Sequence, residues 1–295
     1  MLLDRDFFQG RLPRWAANRR QVVHRHAPKS TVDRIHLPAV TVTTRPAAAA
    51  RQISSSAALF RNSFWLFAAF ALAMLVAFWP SYFSRLTAQT TSHAHQHGAA
   101  MIAWCALLVA QSGLIRTNRR RTHRRLGAVS YALVPLVVIT TVRFIHFRIG
   151  NVEALTPGWL YFVALVLNTL VVFLLFYGLA MYHRRDSGTH ARFMVCTLFP
   201  IFPPVTDRLI AFYQPQFISV FPVIDGGPVL PLFGFALADA MVLALAVWDW
   251  RTNRRRDVFP VALAVLLICQ AAILTFHRFA WWAEFAGWFW GLPLT

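Results

Sequence analysis

Apolar positions along this chain neither alternate nor return every three or four residues; they run on. Seven runs, at about 63–83, 96–115, 126–146, 158–182, 191–212, 229–248 and 258–280, are nearly free of charge. Each has about the 20 residues that a helix rising 1.5 Å per residue needs to cross a hydrocarbon core about 30 Å thick. Lipid offers no partner to free backbone groups, so each run must be helical. "YFVALVLNTLVVFLLFYGLAMY" lacks the alternation of a membrane β-strand. The pattern therefore predicts an all-α, polytopic transmembrane helical bundle of about seven helices. Residues 61–295 form the membrane domain, and residues 1–60, mixing Arg, Pro, Ser and Ala, form a basic tail expected to be disordered.

Composition agrees: 57% of the 295 residues are hydrophobic and 14% charged, where a soluble domain carries about 25% charged residues. No cleavable signal peptide is read in the hydrophilic first 60 residues, so the first helix is expected to act as the insertion signal. Cys105, Cys196 and Cys269 each stand alone in a different run, without metal-ligand or redox spacing, and read as inert buried thiols.

The net charge of +18 changes the picture through its placement. Eleven of the 29 basic residues lie in the chain up to Arg61, six in 116–125, three in 183–192 and four in 249–257, all on one side of a seven-span topology. The positive-inside rule then puts the N-terminus and the loops "RTNRRRTHRR", "HRRDSGTHAR" and "DWRTNRRRD" in the cytoplasm and the C-terminus outside, in a bacterial inner membrane. Loop arginines suit anionic lipid headgroups, and the expected partners are the bilayer and those headgroups; no nucleic acid is expected. Trp281, Trp282, Trp288 and Trp290 read as an aromatic belt at the outer interface.

"RTNRRR" occurs at 116–121 and again at 251–256, and "THRRLG" at 122–127 is echoed by "THARFM" at 189–194. This predicts one leading helix followed by three helical hairpins of the same orientation. "HGAAMIAWCALLVAQSGLIRTNRRRTHRRLG" carries His97 and Gly98 at a helix start, Trp104 and Gln111 along it, then His123, Arg124, Leu126 and Gly127 at the next turn. With "FWPSYF" before it and His190, Arg192, Met194 and Asp239 after it, the stretch resembles a family of uncharacterised bacterial multi-pass membrane proteins over roughly residues 78–257. The resemblance implies a heptahelical bundle in a bacterial inner membrane and no particular reaction.

On this topology the histidines fall into two layers. His93, His95, His97, His146 and His277 lie outside, and His123, His183 and His190 inside, with His24, His26 and His36 in the tail. His97, His146 and His277 stand at similar depth on three helices, next to the H-x-H-x-H of "SHAHQHG". Imidazoles so placed suit zinc, copper or iron, and an opposed pair suits heme b. His97, His146 and His277 are therefore the candidate cofactor ligands, with His93 added for a metal. The competing reading is a solvated polar rim capped by Thr91 or Ser92, and a third is a pH sensor. Among the inner arginines, His123, Arg124, Arg125, His190 and Arg192 read as a lipid or phosphate surface.

Helix five, "FPIFPPVTDRLIAF", carries Pro200, Pro203 and Pro204 before Asp207 and Arg208. Prolines remove backbone donors, so a break is expected there, with a ligand cavity beside it. Asp207 and Asp239 are the candidate catalytic carboxylates, Asn168 or Tyr131 the expected partners of Asp239 unless it is protonated, and Gln111 a polar staple. Three functions follow: a redox protein with an outer metal or heme site, a zinc-dependent intramembrane hydrolase using His97, His146, His277 and Asp207, and a non-enzymatic lipid-binding, transport or assembly factor.

Overall fold

A computed structural model describes residues 47–88 and 91–295, with side chains from residue 62 onward. All of them belong to one packed unit, Arg45–Thr295. His24, His26, His36 and residues 1–46 of the expected tail lie outside the described residues, whereas 47–60 form the first turns of α1.

The fold is an all-α helical bundle. Helix α1 (Ala47–Phe78) is followed by α2 (Ser92–Arg116), the short α3 (Arg120–Gly127), α4 (Ser130–Gly150) and α5 (Pro157–Tyr182). Then come α6 (Ser187–Cys196), α7 (Phe202–Tyr213), α8 (Pro231–Asn253), α9 (Val258–Thr275) and α10 (Ala280–Trp290). Among the described residues six helical segments are long and apolar enough to cross a membrane, α3–α4 and α6–α7 each counting as one, and Asn62–Phe78 of α1 is a shorter apolar stretch. The chain therefore has the makings of a multi-pass membrane protein.

Several ends differ from the apolar runs for local reasons. Pro80 disfavours helical geometry in the residue before it, so α1 stops at Phe78 rather than at 83. Helix α2 begins at Ser92, so the H-x-H-x-H is helical; Thr91 is its N-cap but makes no side-chain cap bond. Asn118 and Arg254 take left-handed conformations (φ 58° and 56°) after α2 and α8. Asp225 and Gly226 (φ 51° and 77°) turn the hairpin of β1 (Val223–Ile224) and β2 (Gly227–Pro228), as an Asp-Gly pair favours.

Helix α1 packs on α2 and α7, α2 on α4, α5 on α6 and α9, and α8 on α7 and α9. The centre belongs to α6–α7: 72% of its most apolar stretch is buried inside the molecule, against 28–39% for the other five segments. The expected break is there, a 3-10 turn at Phe199–Ile201 between α6 and α7. Its consequence is close packing. A Cβ on Gly234 of α8 would stand 2.7 Å from the Pro203 Cα, so only glycine lets the two backbones meet. A smaller core of Ile145, Ile149, Leu160, Trp282 and Phe289 seats α10 on α4 and α5.

Candidate functional site

The three histidines opening α2 go to three different partners. His93 and His97, four residues apart, share a helical face. The His93 ring lies on Phe147 (centroids 4.7 Å apart, planes 16°) and the His97 ring on Phe144 (5.2 Å, 8°). His97 Nδ1 also stands 3.3 Å from the Thr141 hydroxyl. His95 faces the other way, its Nδ1 3.3 Å from the Tyr82 hydroxyl. A Cβ on Gly98 would come within 2.8 Å of the same tyrosine ring, which accounts for the His-Gly pair as packing.

His146 is buried at 4% exposure, and its Nδ1 shares a 2.7 Å hydrogen bond with the Thr295 hydroxyl while Phe289 meets its ring edge-on. Its separation from His97 follows from helix geometry. At about 100° per residue, His146 lies about 140° around α4 from Thr141, on the face that α10 covers. His277 sits on the 3-10 turn Phe276–Arg278 after α9. Among the described residues, no three His, Cys, Asp or Glu side chains converge to hold a metal ion. His93 Nε2, His146 Nε2 and His277 Nδ1 are nevertheless buried without a hydrogen-bond partner.

After the break, two side chains of α7 bond back to the carbonyls of its first turn. The Thr206 hydroxyl donates to the Phe202 and Pro203 oxygens, and Arg208 Nη1 to the Pro204 oxygen at 2.9 Å. The Arg208 guanidinium lies 4.1 Å over the Phe78 ring. The Asp207 Oδ1 is buried and unpartnered, and so is the Tyr161 hydroxyl. Beside the break, Thr169, Phe199, Pro200, Pro203, Cys269 and Gln270 are among the walls of a cavity of about 10 Å³, room for a single water. The cavity is mostly apolar, and neither Asp207 nor Asp239, expected to share a ligand cavity, lines it.

Asp239 has a different partner from those expected. Gln270 of α9 donates to its Oδ1 at 2.9 Å, while Asn168 donates to its own helix at Ala164 and Tyr131 is exposed. A polar residue inside "LLICQAAIL" was the available signal, because an intramembrane Gln needs a partner.

At the arginine-rich end, Arg192 of α6 is fully buried and meets Asp249 of α8 through two parallel bonds, Nε to Oδ2 at 2.8 Å and Nη2 to Oδ1 at 2.6 Å. Its Nη1 donates to the Gly188 oxygen at 2.8 Å, and Asn253 donates to Asp249 Oδ1 at 2.6 Å. All three guanidinium nitrogens are thus engaged within the protein. Sequence reasoning passed over Asp249. Arg255 extends the network by donating to the Thr189 hydroxyl and pairing with Asp257, and Thr189 donates to Asp186, which caps α6 through Gly188. The Thr189 bond holds the Asp186 carboxyl below its ordinary pKa, and the Arg255 bond does the same for Asp257.

The remaining members of the expected lipid surface divide. Arg124 and Arg125 are exposed on α3. His190 donates from Nδ1 to the Ala180 oxygen at 2.8 Å, and His183 stacks on Phe193. His123 Nδ1 and Gln111 Oε1 are buried without partners, and the Gln111 amide would touch a Cβ on Gly127 at 3.3 Å. Trp104 is wholly buried with its ring edge-on to Phe173 and Tyr177. No family model, no curated protein and no solved structure matches the chain.

Proposed function

We propose that this is a multi-pass protein of a bacterial inner membrane, its arginine-rich end cytoplasmic and its histidine end outside, that works as a non-enzymatic binding or transport factor centred on Asp207. The observation that carries this reading is the buried, unpartnered Oδ1 of Asp207 on the most enclosed helix of the bundle. Ionisable groups inside a bundle are costly and mark ion or proton routes when nothing in the protein neutralises them. Arg208 next to it donates to the Pro204 carbonyl and lies over the Phe78 ring, and among the described residues it makes no ion pair with Asp207, so Oδ1 is open to a proton or a small cation.

Difference infrared spectra of the protein in bilayers, recorded across pH, test it. A carboxylic C=O band that Asp207→Asn removes is the expected result; spectra that this substitution leaves unchanged would overturn the reading. A reporter enzyme fused at the N-terminus and active only in the cytoplasm tests the orientation, and activity confined to the opposite orientation sinks that part.

A second reading, an outer metal or heme site with a redox role, is favoured by the unpartnered nitrogens of His93, His146 and His277. His97 and His146 do not serve it as an opposed pair, because His97 packs by Thr141 and His146 by Thr295 and Phe289. Metal analysis and an absorption spectrum of purified protein decide it: a Soret band or stoichiometric zinc or copper, lost on His146→Ala, supports it, and a folded, colourless, metal-free protein removes it. The zinc hydrolase has least support, since His97, His146, His277 and Asp207 form no common ligand set among the described residues.

A further inference from the structure

The positive-inside rule accounts for most arginines of this chain, but not for those at the histidine end. Arg148 is the informative one. It closes α4 at the level where that helix leaves its membrane-crossing stretch, and it lines an open groove of about 230 Å³ together with Phe147, Asn151, Val152 and Trp159 at the junction with α5. Its guanidinium lies 6.0 Å over the Trp159 ring, and among the described residues it makes no ion pair, although Glu153 is exposed close by in the chain. The far side of the Phe147 wall is braced by the stacked His93 ring. Arg143, one turn deeper on the same face as Phe147, is exposed as well.

The groove is therefore two-natured: aromatic and aliphatic walls from Phe147, Val152 and Trp159, and a fixed cation with a planar fork of donors at its mouth. That is the complement of an amphiphile with a phosphate, which an arginine binds through paired charge-assisted bonds while apolar walls take the adjoining glycerol and acyl carbons. Tryptophan and arginine at a helix end also sit at headgroup depth. We propose that this groove is a binding site for the headgroup of an anionic phospholipid in the leaflet at the histidine end. The site is independent of Asp207, which does not line it.

The experiment uses the full chain in bilayer discs with a photoactivatable phosphatidylglycerol, and maps crosslinks by peptide mass spectrometry. Labelling of the peptide spanning 147–159 is expected, with unlabelled phosphatidylglycerol competing and phosphatidylcholine not. Arg148→Gln should reduce that labelling about tenfold, the weight of one charge-assisted contact, and Arg148→Lys should restore part of it. Labelling of the peptide around Arg124 and Arg125 serves as the internal control for folding and insertion. Equal labelling in Arg148→Gln, equal labelling by a phosphatidylcholine probe, or full protection by inorganic phosphate alone would each overturn the proposal, the last by assigning the groove to a free anion.

Discussion

At the arginine-rich end, all three nitrogens of the Arg192 guanidinium are engaged and both Asp249 oxygens accept bonds. At the histidine end, Asp207 Oδ1, the Tyr161 hydroxyl and one nitrogen each of His93, His146 and His277 are buried with no partner. The two ends belong to one bundle and share α4, α5, α8 and α9, so the contrast is not one of packing quality. Buried polar groups are normally satisfied, so these scattered exceptions are the places where the protein's own bonding is incomplete. The arginine-rich end is not uniform, since His123 Nδ1 and Gln111 Oε1 are also unpartnered near α3. The ion-pair network itself, however, is closed, and reads as architecture.

The sharpest way to break this contrast is Arg192→Ala. It leaves Asp249 buried without its ion-pair partner and with only the Asn253 amide bonding it, which costs about 3–5 kcal/mol, and thermal unfolding of detergent-solubilised protein should show a correspondingly large loss. A loss below about 1 kcal/mol would mean that the pair is no more structural than the orphan groups. Gly234→Ala comes next. The added methyl meets the Pro203 backbone at 2.7 Å, which cannot swing aside as a side chain can, so about 1–3 kcal/mol of destabilisation is expected in the same assay.

Smaller effects belong to the histidine end. His97→Phe keeps a ring against Phe144 and gives up the Thr141 contact, so stability should fall by about 1 kcal/mol. Asp207→Asn should leave stability within about 1 kcal/mol of the parent protein, because no bond to Oδ1 is lost. The smallest effect is with pH. The Asp186 and Asp257 carboxyls are held below their unfolded pKa, near 4. Their contribution is fully present above that value and is lost as pH falls through the lower folded one. Hydrogen exchange at the start of α6 should therefore speed up only in strong acid.

Much of the fold was legible because membrane helices announce themselves by run length alone. Their ends were not: Pro80 cuts α1 short, and α10 is hidden in a Trp-rich stretch whose composition speaks of an interface whether or not it is helical. Trp282 turns inward there and donates to the Leu160 oxygen at 3.0 Å, while Trp281 and Trp288 stay exposed. The site was harder to read for a geometric reason. Counting along helices places residues by depth, and His97, His146 and His277 were grouped on depth; direction around the axis decides who meets whom. Asp249 escaped notice because a lone acid at the edge of an apolar run resembles the solvated start of a loop. Only Arg192, 57 positions earlier, makes it a buried partner.

That separation bears on how the protein is made. Chains grow at about 5–20 residues per second, so α6 is complete for several seconds before Asp249 leaves the ribosome. During that wait the Arg192 guanidinium has no Asp249 carboxylate to pair with. The buried pair can close only once α8 has been made, so a chain released before Asp249 would lack the bond that ties α6 to α8.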